Sequence, residues 1–426
     1  VISEMDGAFK EWRLNLVDVQ TMKTLRVFSK KVEKGYISQW CPVRFSQDGK
    51  SIYFGADLDG WRHIYRISLF GKDLRAITSG KFDVIDFQRP KDSDVLYYQS
   101  TERGPQQTDI YSLTPEGEKN LLSVGKGANS VSVSKDGKNQ IITFNNRTTP
   151  QEIYLFKAVN NHIKLTNSPL PIFEKFEFAN VQEVTFPLGD ETIHGLLYTP
   201  PNIVPGKKYP AIIADMYANS AKWGWGRLMN HYAAVHMGYV ILFVDFRASW
   251  GYGTDFETGY YENLGIIDSD EAVAAANFLK SLNYVDGERL GLWGWSYGGF
   301  LTLMTMMRHP GVFKAGVAVA SVTDWRKYNQ WYTRQRLEMP KENEEAYKAT
   351  SPIDNAEKLQ GHLLMIHGLQ DDNVLAQDTI RLAQKFLELN KEFDLFLYPK
   401  DGHGMSRDES WVDVFRRIMR YFMNNL

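Results

Sequence analysis

Cysteine is almost missing from this chain: Cys41 is the single one, which excludes an internal disulfide. That argues against a disulfide-dense extracellular protein, leaves cytoplasm and bacterial periplasm open, and leans to the latter. Long apolar runs are missing too. The longest, such as Tyr239-Val-Ile-Leu-Phe-Val244, fall far short of the roughly 20 residues that span a bilayer and fit buried strands instead, so no membrane segment is expected. Charge of one sign is scarce, with 49 Lys and Arg against 51 Asp and Glu and no long basic run. Neither nucleic acid nor an anionic membrane is therefore expected as a partner. The chain has no His-Glu-x-x-His, no cysteine cluster and no dinucleotide fingerprint after a strand, so no metal or organic cofactor is implied. It begins at Val1 without a charged segment followed by an apolar one, so no targeting segment is visible and material upstream is expected.

What the chain does have is enough apolar character, 43% over 426 residues, to build two cores. Its first part is repetitive. Val43-Arg-Phe-Ser-Gln-Asp-Gly-Lys-Ser-Ile-Tyr-Phe54 leads to His63-Ile-Tyr-Arg-Ile67, and related segments follow at Val95–Tyr98 with Asp109-Ile-Tyr111, and at Ser134-Lys-Asp-Gly137 with Glu152-Ile-Tyr154. Ile64, Ile110 and Ile153 recur at intervals of 46 and 43 residues, and a weaker match around Leu14 precedes Ile64 by 50. Alternating strands broken by Asp-Gly turns at this period are the sign of propeller blades. Residues 1–180 thus read as three blades and part of a fourth, an incomplete β-propeller whose N-terminal blades lie upstream. Its tyrosines (Tyr53, Tyr65, Tyr97, Tyr98, Tyr111 and Tyr154) are expected to pack between blades.

From about Val181 to the end at 426, strands alternate with helices. This predicts an α/β-hydrolase domain, with a mostly parallel sheet covered on both faces. Within it, Gly294-Trp-Ser-Tyr-Gly298 fits a nucleophile elbow, where a buried strand turns abruptly into a helix and lifts Ser296 out at the bend. The fold fixes the order of the remaining triad as acid, then His. Of the histidines after Ser296, His309 ends the elbow helix, and His362 and His367 bracket a strand before the best acid. That leaves His403, in Gly402-His-Gly404. The acid is Asp371 or Asp372, directly after that strand. One oxyanion donor is the backbone N–H of Tyr297, and Tyr217, near the end of the third strand, offers a hydroxyl as the second. Trp325, Tyr328 and Tyr332 recur at i, i+3 and i+7, which predicts one helical face; by spacing alone they also fit a core stripe.

The region from about 181 to 426 resembles the catalytic domain of the prolyl oligopeptidase family, in its dipeptidyl peptidase IV branch. The resemblance is carried by Gly294-Trp-Ser-Tyr-Gly-Gly299, Asp371-Asp-Asn-Val374, Gly402-His-Gly404, the stretch from Arg247 to Gly253, and Val322-Thr-Asp-Trp-Arg-Lys-Tyr-Asn-Gln-Trp-Tyr332. It implies Asp371 as the triad acid, Tyr217 as an oxyanion donor, and a proline pocket of Tyr297, Val322, Trp325, Tyr328, Tyr332 and Val374, with Asn373 holding a substrate carbonyl. Two departures stand out: Ala218-Asn-Ser220 where the branch has a glycine pair and proline, and Arg247-Ala248 where it has Arg-Gly, a change expected to concern packing. The paired glutamates that grip the substrate's amino terminus in the dipeptide-releasing member would, by motif order, lie upstream of Val1. The implied function is a serine exopeptidase that cuts short peptides after proline or a small residue, with a propeller filtering access to the hydrolase site. The alternatives are an acyl-peptide hydrolase or esterase on the same fold, and an inactive propeller-based binding protein. Short peptides are the expected partners, with a homodimer and an N-terminal fragment of the same protein as further candidates.

Overall fold

The computed structural model describes residues 1–38, 42–158, 161–217 and 224–426, and it divides into two compact units. Cys41 and the Ala218-Asn-Ser220 departure lie outside the described residues. One unit is built on β-sheets, with a short helix and a 3-10 turn besides, and runs from Val1 to Phe176, joined by Ser249–Gly259. It holds a three-stranded antiparallel sheet (Ile2–Met5, Glu11–Val17, Thr24–Lys31) and three four-stranded antiparallel sheets. Ile64, Ile110 and Ile153 each fall in the third strand of a four-stranded sheet (Arg62–Ser68, Asp109–Leu113, Glu152–Ala158), so the repeat seen in the sequence is a structural repeat.

The turns repeat as well. In Ser46-Gln-Asp-Gly49 and in Ser134-Lys-Asp-Gly137 the serine hydroxyl donates to the aspartate at 2.6 Å, while the glycine N–H closes the turn on the serine carbonyl. Both glycines have positive φ, 66° and 74°, which a Cβ would strain. The apolar clusters bridge successive sheets. Tyr53 and Ile64 pack with Phe82, Val84, Tyr98 and Tyr111 of the next sheet, and Tyr97 and Ile110 pack with Ile142 of the one after, so these tyrosines are inter-sheet core. Burial of each such side chain contributes on the order of 1.5–3 kcal/mol. This is the architecture of propeller blades.

The second unit is built on an eight-stranded sheet. Its strands are β1 (Asn180–Leu188), β2 (Glu191–Thr199), β3 (Tyr209–Met216), β4 (Val240–Val244), β5 (Val285–Trp295), β6 (Ala315–Val319), β7 (His362–Gly368) and β8 (Asp394–Tyr398). They lie in the order β1-β2-β4-β3-β5-β6-β7-β8, with the β1–β2 and β2–β4 pairs antiparallel and the other neighbours parallel. The inner parallel strands β4 and β6 are apolar and buried along their whole length because helices cover both faces. Those used below are α1 (Leu228–Met237), α2 (Ile267–Ser281), α3 (Tyr297–Arg308), α4 (Gln330–Leu337), α5 (Ala376–Glu388) and α6 (Asp408–Asn425). On α6, the spacing of Trp411, Phe415, Ile418, Met419 and Phe422 predicts one apolar stripe, and the last four are buried. Trp411 departs from it: it is 48% exposed and leans on Trp295 and Phe415 from the rim. The two units correspond to a β-propeller portion and an α/β-hydrolase.

Candidate active site

β5 sits at the centre of the sheet and passes directly into α3 at Ser296, whose φ of 59° and ψ of −117° mark a strained bend. Two glycines make the bend possible. A Cβ at Gly294 would lie 2.4 Å from the Gly298 backbone, and one at Gly298 would lie 1.6 Å from the Met216 carbonyl oxygen. The second contact presses the elbow helix onto the end of β3. Tyr217, the residue after Met216, is thereby brought beside the serine.

Ser296 Oγ lies 3.0 Å from His403 Nε2, and His403 Nδ1 lies 2.7 Å from Asp371 Oδ2. An ionised carboxylate only accepts, so His403 donates from Nδ1 and its Nε2 is free to accept the serine proton. Asp371 is buried, whereas Asp372 is exposed. The N–H groups of Asn373 and Val374 both donate to Asp371 Oδ1 at 2.9 Å, and His367 Nε2 approaches Oδ2 at 3.1 Å. Burial alone would raise the Asp371 carboxyl. The hydrogen bonds from His367 and His403, the His403 charge and the Val374 N–H outweigh it and hold the group well below the ordinary carboxylate range.

His367 was not singled out by sequence reasoning as a site residue. It is fully buried at the end of β7, with Nε2 facing two acceptors, Asp371 Oδ2 and the Val374 carbonyl at 2.9 Å, and Nδ1 facing the Thr379 hydroxyl at 2.7 Å. Two acceptors require a proton on Nε2. In that tautomer Nε2 donates to the acid and Nδ1 accepts a hydrogen bond from the Thr379 hydroxyl. Its position four residues before Asp371 was the available signal.

Tyr217 is 39% exposed overall, but its hydroxyl end is enclosed, and that burial raises its pKa; the hydroxyl is hydrogen-bonded with Ser296. A tyrosine kept protonated in this way is a donor at neutral pH. Tyr217 thus reaches the serine from β3, while Tyr297 follows it directly as the first residue of α3.

Next to this lies an aromatic box. Trp325 and Tyr332 are stacked at 5.6 Å and 12°, Tyr328 stands edge-on to both at 5.7 and 5.5 Å, and Tyr297 lies 6.1 Å from Trp325. Val322 and Val374 are buried, and the Tyr328 hydroxyl donates to Asn373 Oδ1 at 3.1 Å. The expected single helical face is corrected here. Trp325 opens a short 3-10 turn (Trp325–Lys327), Tyr328 is extended with ψ of 170°, and only Tyr332 lies in α4. The helix breaks because Asn329 caps α4, its side chain accepting from the Tyr332 N–H at 2.8 Å. The rings converge around this break.

Of the other histidines set aside in the sequence, His309 lies away from the triad. His309 pairs with Asp270 at 2.9 Å, burial lowers its pKa, and it lines a cavity of about 520 Å³ with Phe186, Val273 and Phe278, which contains no triad residue. The Arg247-Ala248 departure falls on the backbone as well as on packing, since Ala248 is fully buried at a φ of 71°, while Arg247 binds Glu271 through its N–H and Nε at 2.7 and 2.9 Å. No helix among the described residues is long and apolar enough to cross a membrane.

Comparison with known proteins places this geometry in a family. The sequence profile of the prolyl oligopeptidase family matches residues 227–426, and that of the dipeptidyl peptidase IV N-terminal region matches residues 1–151. The chain is 27% identical to dipeptidyl peptidase 8 of Homo sapiens, over 90% of its own length and 48% of the human protein. It is 28% identical to a probable dipeptidyl peptidase 4 of Arthroderma benhamiae, over 95% of its own length and 55% of the fungal protein. The crystal structure of Porphyromonas gingivalis dipeptidyl peptidase 4 superposes with a TM-score of 0.93 at 28% identity, covering 100% of this chain and 61% of that one. The chain thus spans about half the length of these two curated relatives. It belongs to the prolyl oligopeptidase family, as a dipeptidyl peptidase IV-like protein.

Proposed function

We propose that this chain carries the catalytic centre of a serine exopeptidase that releases dipeptides from the N-termini of short peptides, cutting after proline or a small residue. The reading rests on one observation above the rest: the Ser296–His403–Asp371 relay, at 3.0 and 2.7 Å, stands beside an aromatic box. In this reading Ser296 Oγ attacks the scissile carbonyl while His403 Nε2 takes its proton, and Asp371 orients and stabilises the imidazolium. The oxyanion receives hydrogen bonds from the Tyr217 hydroxyl and the Tyr297 N–H. His403 then returns the proton to the leaving amine, and water repeats the cycle on the acyl-enzyme.

The box supplies specificity. A pyrrolidine ring is flat and rigid, so it fills an apolar slot between Trp325, Tyr328, Tyr332 and Tyr297 with little loss of rotamer freedom. Asn373 is assigned to a substrate carbonyl. Dipeptide release is supported by the names of relatives such as dipeptidyl peptidase 8, dipeptidyl peptidase 4 and a probable dipeptidyl-aminopeptidase B. The same reading assigns residues 1–180 to propeller blades and 181–426 to the catalytic domain. Comparing Gly-Pro-p-nitroanilide with a simple aryl ester tests it. Efficient cleavage of the prolyl amide is expected; ester cleavage with no detectable prolyl amidase activity would replace the peptidase with an esterase.

A further inference from the structure

Two ionisable side chains are buried directly behind the aromatic box, and the relay described above uses neither. Asp268, in the first turn of α2, is fully buried. Its Oδ2 accepts the Tyr297 hydroxyl at 2.7 Å, and its Oδ1 has no hydrogen-bond partner among the described residues. Arg336, at the end of α4, is 8% exposed. Its guanidinium lies 3.8 Å from the centre of the Tyr332 ring, Nε donates to the Tyr260 hydroxyl at 2.6 Å, and Nη1 donates to the Tyr332 carbonyl at 3.3 Å. Tyr260 is also buried and stands edge-on to Tyr297 at 6.2 Å. Asp268, Tyr297, Tyr260, Arg336 and Tyr332 therefore form one continuous line behind the box.

Burying an ionisable group is costly, and phenylalanine at 297 would fill the same space without asking for an acceptor. What the line provides is fixed ring orientation. Tyr297 does two jobs in the proposed reaction, offering its N–H to the oxyanion and its ring to the pocket, so a tilt of that ring alters the slot next to the reacting carbon. Arg336 does the same for Tyr332, which stays stacked on Trp325 and so keeps that side of the box in place.

We infer that Asp268 and Arg336 are positioning residues for substrate selectivity: through the Tyr297 hydroxyl and the Tyr332 ring they hold the box in the shape that prefers proline over alanine. The inference deepens the proposed function and rests on it.

The test measures kcat/KM for Gly-Pro- and Gly-Ala-p-nitroanilide in the intact protein, normalised to Ser296 sites titrated with a fluorophosphonate. Asp268→Ala, Tyr297→Phe and Arg336→Met are each expected to lower the proline-to-alanine ratio at least fivefold, mainly by raising KM for the prolyl substrate. Asp268→Asn keeps an acceptor for the hydroxyl and is expected to stay within twofold of wild type. Asp268→Ala combined with Tyr297→Phe is expected to be no worse than either alone, because both remove the same bond. Normalisation removes losses due to misfolding, which lower both substrates equally. A ratio unchanged within twofold in Asp268→Ala and Tyr297→Phe would overturn the role of Asp268, as would an Asp268→Asn variant as defective as Asp268→Ala. An unchanged ratio in Arg336→Met would overturn that of Arg336. Failure of the wild-type protein to label, or to cleave either amide, would instead remove the peptidase reading and the inference with it.

Discussion

His367 acts on the chemistry only through Asp371. Fully buried, it donates one hydrogen bond that helps keep the acid ionised, and its other nitrogen is satisfied by Thr379. Replacing it with leucine leaves the carboxylate with one donor fewer and orphans the Thr379 hydroxyl. A hydrogen bond to a charged group contributes about 1.5–3 kcal/mol, so His367→Leu should lower stability by about that amount in a denaturant titration. It should also lower kcat for a prolyl amide about tenfold, the rate equivalent of about 1.4 kcal/mol. Asp372→Asn, at the exposed neighbour, should stay within twofold of wild type. Equal losses in the two variants would contradict the assignment of the acid to Asp371.

The elbow is the element on which the site depends, because β5, α3 and the end of β3 meet within a few atoms of Ser296. A methyl at Gly298 would overlap the Met216 carbonyl, so Gly298→Ala must push α3 away from β3 and Tyr217 away from the serine. The expected outcome is loss of fluorophosphonate labelling with a destabilisation of about 3 kcal/mol or more, read by thermal melting. Labelling at the wild-type rate would show that the tight approach is not needed. This element was legible in the sequence because sharp bends demand glycine at fixed places and the fold fixes the order of acid and base. The box was legible only in composition. Spacing put Trp325, Tyr328 and Tyr332 on one helix, while the Asn329 cap breaks that helix and lets the rings converge from a turn, an extended residue and α4. The groups behind the box were not legible at all. Asp268 reads as an acid placed at a helix start for the macrodipole, and Arg336 reads as one basic residue among several; only tertiary packing reveals that both are buried against tyrosines.

For the molecule as a whole, buried carboxylates of opposite behaviour set the dependence of stability on pH. Asp371 is depressed, so the stability it contributes is present above the unfolded value of about 4 and is lost as pH falls below it. Burial raises Asp268 to about 7 and Glu271 to about 8, partly offset by the Tyr297 hydroxyl for the first and by Arg247 for the second. In both, the folded state holds a proton that the unfolded state has released, so stability should fall as pH rises from about 4 towards these values. Denaturant titrations across this range should show that decline, and Asp268→Asn should flatten it up to about pH 7; an unaltered slope would contradict the burial of an ionisable group there. At this scale the propeller repeat was read from the sequence with little loss, because a recurring isoleucine marks each four-stranded sheet and Asp-Gly turns mark two of them. The grouping of Ser249–Gly259 with the β unit had no local mark: the N–H groups of Gly251 and Gly253 are held by Asp83, more than 160 positions earlier. The central claim is that Ser296 is the nucleophile of a proline-directed peptidase, and the most direct measurement is the turnover of Gly-Pro-p-nitroanilide by Ser296→Ala beside wild type. The account predicts a loss in kcat of on the order of a thousandfold or more with the fold intact by circular dichroism; a variant that turns over the substrate at anything near the wild-type rate would contradict it.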